Sequence, residues 1–181
     1  MTKTCCFSGY RPHKLSYLDD PADARNASLA AALRRAVDAA VADGYTTFYS
    51  GFARGVDILA AEAVLAAQID GAAVTLIAAL PCMEQSSGWR TAAREHYFAL
   101  LDRCAEVVYV SDSYHPGCYK DRNRYMVDRS QRLIAVFDGQ KGGTAQTVAY
   151  AKKLGRELVL IDPQSFTCTA AFEPSLFAPE L

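Results

Sequence analysis

Four short segments of the chain gather glycine, cations and small polar residues at spacings that suit the binding of a phosphate. In Ser50-Gly51-Phe52-Ala53-Arg54-Gly55-Val56-Asp57, two glycines flank an arginine just before a run with helical periodicity. Glycine lets backbone approach a ligand closely, and a helix amino terminus offers it unpaired N–H groups. Arg54 puts a positive charge inside that turn, and Asp57 follows with a carboxylate able to accept from a ribose hydroxyl. A tight turn in which Asp57 only offsets the helix dipole accounts for the same residues. Gly139-Gln140-Lys141-Gly142-Gly143-Thr144 repeats the combination of flexible backbone, cation and free amides. Its spacing is neither G-x-x-x-x-G-K-[ST] nor G-x-G-x-x-G, which excludes an ATPase loop and a standard dinucleotide fingerprint.

Asp121-Arg122-Asn123-Arg124-Tyr125-Met126 crowds two arginines and an asparagine into what reads as the first turn of a helix. Positive side chains oppose the helix dipole there, and a bound anion would compensate. Ion pairing to Asp121 and Asp128 on a surface helix is the alternative. Ser8-Gly9-Tyr10-Arg11-Pro12 adds a small residue for close approach, an aromatic able to stack on a base, and another arginine. The residues expected to bind ligand are therefore Ser8, Gly9, Arg11, Gly51, Arg54, Gly55, Asp57, Arg122, Asn123, Gly142, Gly143 and Thr144, with phosphates on Arg122 and the turn from Gly142 to Thr144. No catalytic residue is assigned, and no Ser/His/Asp order presents a nucleophile. His13, His96 and His115 share no spacing, and the six cysteines form no C-x-x-C pair, so no metal site is expected. Reduced, mostly buried thiols are the reading for the cysteines.

The elements that must position these segments alternate short β-rich runs with helical periodicity, the pattern of a parallel sheet covered by helices. Six strands are predicted: Thr4 to Ser8, Thr46 to Ser50, Ala73 to Leu80, Glu106 to Val110, Leu133 to Phe137 and Glu157 to Ile161. Leu29, Leu33, Val37 and Val41 recur at helical spacing, and Gly44 is placed to stop that helix. Further helices are expected after Gly55, from about Trp89 to Asp102, from an Asp121 N-cap to about Gln131, and from near Thr144 to before Gly155. The fold class is thus α/β, a Rossmann-like, doubly wound, mainly parallel sheet. In such sheets ligands bind beyond the carboxyl ends of the strands, where all four segments fall. The tail from about Pro163 reads as an irregular wrap or a short terminal helix.

A length of 181 residues fits a single domain. A net charge of −1 and a pI near 6.3 provide no overall attraction to nucleic acid or to an anionic membrane, so an anion site must be a local device. The amino terminus lacks the regions of a signal peptide, and no apolar run approaches the roughly 20 residues of a membrane span, which predicts a cytoplasmic protein.

From Thr4 to about Pro163 the four segments together resemble the YpsA-like branch of the SLOG superfamily. The resemblance implies a Rossmann-like fold, a nucleotide or ADP-ribose-like ligand, a role as ligand sensor, and pairing of copies through exposed helices. The S-G-x-A-R-G-[IV]-D turn and the R-N-R-x-[IM] element are similar to DprA segments, as is Pro116-Gly117, and imply single-stranded nucleic acid as an alternative partner. The near-neutral charge and absence of an extended Lys/Arg run oppose that alternative. Arg122 with Met126, and Gly142-Gly143-Thr144, also resemble the R-K-x-x-M and P-G-G-x-G-T-x-x-E segments of LOG phosphoribohydrolases, which release a base from nucleoside monophosphates. Thr147 stands where that pattern has its glutamate.

Overall fold

Cys5, Cys6 and Phe7 are all fully buried, because the strand that carries them, β1 (Lys3–Ser8), runs through the middle of a sheet covered on both faces. A computed structural model describes residues 2–171. Strands β2 (Tyr45–Ser50), β3 (Thr75–Leu80), β4 (Glu106–Tyr109), β5 (Arg132–Val136), β6 (Glu157–Ile161) and β7 (Cys168–Ala171) complete a seven-stranded sheet in the order β4-β3-β2-β1-β5-β6-β7. All pairs are parallel except β6 with β7.

Alternation along the central strands divides the core in two, as a doubly covered sheet requires. Cys5 and Phe7 of β1 and Ile134 and Val136 of β5 pack with helices α1 (Ala24–Ala42), α2 (Val56–Ile69) and α3 (Thr91–Leu101). Cys6, Leu133 and Ala135 point the other way, to α4 (Cys118–Asp128) and α5 (Gly143–Lys153). Helix α1 follows its apolar stripe: Leu29, Leu33 and Val37 are fully buried, Asp23 caps its first turn by accepting from the Arg25 amide, and Gly44 follows its end at φ 87°. No helix among the described residues is long and apolar enough to cross a membrane.

Three expectations change. The fourth helix begins at Cys118, after a left-handed Gly117 whose carbonyl accepts from the Asp121 amide. Asp121 is therefore inside the helix and not its cap, and Arg122 sits in the second turn, where the dipole argument weakens. The third helix begins at Thr91, so Trp89 precedes it. The tail is not irregular throughout: Asp162 Oδ1 accepts from the Gln164 and Ser165 amides, reversing the chain so that Cys168–Ala171 adds a seventh strand antiparallel to β6. Strand pairing across that turn outweighs the weak β pattern of Cys-Thr-Ala-Ala. The remainder of the tail read as an irregular wrap or a short terminal helix lies outside the described residues.

The ends of β1 and α2 are locked by one close approach. A Cβ on Gly9 would stand 2.3 Å from Val56 Cγ1, and the Val56 amide donates to the Tyr10 carbonyl at 3.3 Å. Gly9→Ala is accordingly expected to lose about 1–3 kcal/mol by overpacking, measured by urea denaturation. The loss should shrink in a Val56→Ala background; an equal loss in both backgrounds would show that Val56 is not what Gly9 makes room for.

Candidate functional site

Between β1 and β5 the chain order reverses direction, since β1 leads outward through β2, β3 and β4 while β5 leads the other way to β6. The connections leaving these two neighbours diverge, which opens a crevice at the carboxyl edge of the sheet. A cleft of about 780 Å³ lies there, bordered by the loop after β1 and the amino termini of α4 and α5. Of the residues expected from sequence, Ser8, Gly9, Arg11, Asp57, Arg122, Asn123, Gly143 and Thr144 line it, and Gly51, Arg54, Gly55 and Gly142 do not.

The turn after β2 is filled by the protein itself. Gly55 adopts φ 98°, and a Cβ there would press on the Tyr10 carbonyl at 2.7 Å. Phe52 is buried at a left-handed φ of 54°, its amide donating to Ser50 Oγ. Arg54 points away and pairs with Asp19 at 2.6 Å on the surface. Gly51 leaves room for a side chain from across the sheet: a Cβ would fall 1.6 Å from Arg122 Nη1 and 2.8 Å from Asp57 Oδ2.

Those two groups form a buried ion pair, Nη1 to Oδ2 at 3.6 Å, with side chains only 4% and 7% exposed. Burial lifts the Asp57 carboxyl above its usual range, and Arg122 and the Ala53 amide draw it partway back. Burial likewise lowers the Arg122 guanidinium, against the pull of Asp57. Arg122 Nε donates to Asn123 Oδ1 at 2.8 Å, and Asn123 Nδ2 donates to Thr147 Oγ1 at 3.0 Å, joining α4 to α5. Thr147 in turn donates to the Gly143 carbonyl, so the residue at the glutamate position of the LOG pattern is spent on holding the start of α5. Asp57 is the one carboxylate among the residues bordering the cleft.

Against it stand six cations, Arg11, Lys14, Lys120, Arg122, Arg124 and Lys153. Apart from Arg122, none has a carboxylate within ion-pair distance among the described residues, whereas Arg25, Arg34, Arg54 and Arg132 elsewhere are all paired. Gly117 and Gly142 cap α4 and α5 with no side chain, leaving first-turn amides open to a ligand. Sequence reasoning missed Lys14 and Lys153, which lie outside the candidate segments, and passed over Lys120 and Arg124 within the stretch from Tyr114 to Arg124, although these two share one helix face at four-residue spacing. Tyr10 does not present a face for a base: it is buried, its hydroxyl donating to Asp138 Oδ1 at 2.6 Å.

Comparison with known proteins places this geometry. A family model described as the YspA SLOG family, YpsA, matches residues 5–163. UPF0398 proteins of Bacillus thuringiensis (strain Al Hakam) and Bacillus cereus (strain Q1) are each 28% identical over 158 residues, covering 86% of this chain and 85% of theirs. Among solved structures, DNA processing protein A of Streptococcus pneumoniae is similar in fold at a TM-score of 0.58 with 14% identity, over 88% of this chain and 50% of that one. The corresponding protein of Helicobacter pylori reaches 0.56 with 20% identity, over 87% of this chain and 64% of that one. The chain thus spans half of one and under two thirds of the other.

The buried pair makes two linked predictions. Arg122→Ala strands the Asp57 carboxylate and is expected to cost about 3–5 kcal/mol near neutral pH. Asp57 titrates higher folded than unfolded, so the folded state holds more protons in that window and stability falls as pH rises through it. Without Arg122 the window widens upward, so the loss should be smaller at about pH 4.5 than at about pH 7.5, and adding Asp57→Asn should flatten the dependence. A loss independent of pH in urea denaturation would refute the pairing. Gly51→Ala should cost about 1–3 kcal/mol by displacing the guanidinium, and that cost should shrink when residue 122 is already alanine, leaving only the contact with Asp57 Oδ2; additive costs would contradict it.

Proposed function

The chain belongs to the YpsA SLOG family, and from the chemistry of its cleft we propose that it binds a nucleotide or a nucleotide derivative of ADP-ribose type, held mainly through phosphate. The observation that carries this reading is the set of five cations without carboxylate partners among the described residues around a single crevice, in a chain whose net charge is −1. Gathering like charges without counter-charges is unfavourable, and a multiply charged anion offsets it. The volume of about 780 Å³ suits a cofactor-sized ligand.

In this reading a phosphate sits over the amino terminus of α5, against Gly143 and Thr144, with Arg11 and Lys14 closing over it. Arg122 contributes through Nη2, which has no hydrogen-bond partner among the described residues. Asp57 Oδ1 makes no hydrogen bond either, Oδ2 alone engaging the Ala53 amide, and is the atom available to a ribose hydroxyl.

A second reading, a single strand of nucleic acid, is favoured by the length of the crevice. It continues beside α5 from Gly143 to Lys153, ten residues or about 15 Å of helix, flanked by Arg124 and Tyr150. The H. pylori protein of similar fold is described as having a single-stranded DNA binding mode. Fluorescence anisotropy with an oligothymidine separates the two: strand binding weakens steeply with salt, with a logarithmic slope of about −0.7 per phosphate contacted.

A thermal-shift screen of AMP, ADP, ADP-ribose and related compounds tests the leading reading. A ligand at about 100 times its Kd should stabilise the fold by about 2.7 kcal/mol, and the absence of any shift across the series would overturn the proposal. Gly143→Ala localises the site. An added Cβ meets no protein atom and helix propensity improves, so the fold should be as stable or slightly more so. Calorimetric affinity should nevertheless fall by about tenfold, or roughly 1.4 kcal/mol; unchanged affinity would move the phosphate elsewhere.

A further inference from the structure

Across Arg11 and Tyr119 from the cleft lies a second hollow, about 300 Å³ in volume. Arg11, His13, Ala53 and Tyr119 border both, so the two spaces adjoin. The far side of the hollow is formed by Gln85 and Trp89, neither of which belongs to the phosphate-gripping segments.

Gln85 is 6% exposed and its amide orientation is fixed, because Nε2 donates to the carbonyls of Gly51 and Phe52 at 3.2 Å and 3.1 Å. That leaves Oε1 buried with no partner at hydrogen-bond distance among the described residues, the Tyr97 side chain lying against the same amide. A buried acceptor left unmatched is costly, and a donor entering the hollow would satisfy it. Trp89 is held edge to face on Tyr97, ring centroids 5.1 Å apart at 72°, and remains partly exposed. Opposite it the Arg11 guanidinium lies 4.3 Å over the Tyr119 ring, and the Arg54–Asp19 pair forms the rim. Flat aromatic and guanidinium groups with one buried acceptor suit a planar heterocycle that carries an N–H. The volume stands at the lower end for ligand pockets, sufficient for a base and too small for a whole nucleotide.

We propose that this hollow is a base subsite, in which the purine or pyrimidine of the ligand stacks on Trp89 and donates a ring or exocyclic N–H to Gln85 Oε1 while its phosphates remain in the cleft. The proposal rests on the nucleotide reading above and adds to it the direction in which the ligand lies and the recognition of its base.

Trp89 is the single tryptophan of the chain, so its emission reports on the hollow without any substitution. Titration with ADP should quench that emission, saturating at the same concentration as calorimetric binding. Pyrophosphate and ribose 5-phosphate should bind and leave the emission unchanged. Trp89→Ala should weaken ADP by about tenfold with no change for pyrophosphate, and Trp89→Phe should recover most of the loss. Binding of ADP without quenching, or an equal loss of ADP and pyrophosphate in Trp89→Ala, overturns the base subsite and leaves the nucleotide reading standing. Failure of all three compounds to bind overturns both.

Discussion

The carboxylate of Asp57 and the guanidinium of Arg122 meet beneath the cleft at the carboxyl edge of the sheet, and the arrangement around it depends on their meeting. One comes from the first turn of α2 and the other from the second turn of α4, helices on opposite faces of the sheet. They reach each other only because β2 is followed by Gly51, whose missing side chain leaves space for the guanidinium. From Arg122 the connection passes through Asn123 to Thr147 and the start of α5. A buried pair of this kind contributes little net stability, since desolvation offsets most of its Coulombic gain. Its value lies in register: α2, α4 and α5 cannot slide past one another without stranding a charge. The amino termini that open on the cleft are thereby held at fixed positions.

The two ends of the sheet use charge in opposite ways. At the amino edge of the strands, Arg132 lies 2.7 Å from both Asp43 and Glu157, and Tyr45 donates to the same Glu157. Arg132 is thereby matched by two carboxylates, and the network ties α1, β2, β5 and β6 together. At the carboxyl edge, the cations have aromatic rings and backbone carbonyls for company and few carboxylates: Arg11 lies over Tyr119, Arg124 over Tyr150, and Lys14 reaches the Lys141 carbonyl. One edge pairs its cations with carboxylates and the other sets them among rings and carbonyls.

Much of this was legible in the residues. Strand positions follow from apolar runs such as Leu133 to Val136, and α1 from a stripe at helical spacing, because burial on both faces and on one face write different periods. Ser8, Gly9, Arg11 and the turn at Gly143 fell where strand ends predict a ligand. What was not legible depended on contacts distant in sequence. Gly51 and Gly55 read as ligand glycines, yet their space is taken by Arg122 and by the Tyr10 carbonyl, because a glycine signals a close approach without naming what approaches. Tyr10 read as a stacking ring and is core, through a hydroxyl bond to Asp138, 128 residues away. The seventh strand depends on a turn around Asp162 whose partners only the fold supplies.

The concentration of unmatched cations at one edge makes the molecule electrically lopsided. Of 19 lysines and arginines, six border the cleft, against one of 20 aspartates and glutamates. The rest of the sequence carries 13 lysines and arginines against 19 aspartates and glutamates. A chain with almost no net charge therefore gathers a positive excess at the mouth of the crevice. A local excess of one sign steers the arrival of oppositely charged solutes and not their departure. For an anion taken up there, the on-rate would decline with ionic strength as the field is screened within about 8–10 Å at physiological salt, whereas release, set by short-range contacts, would hardly move.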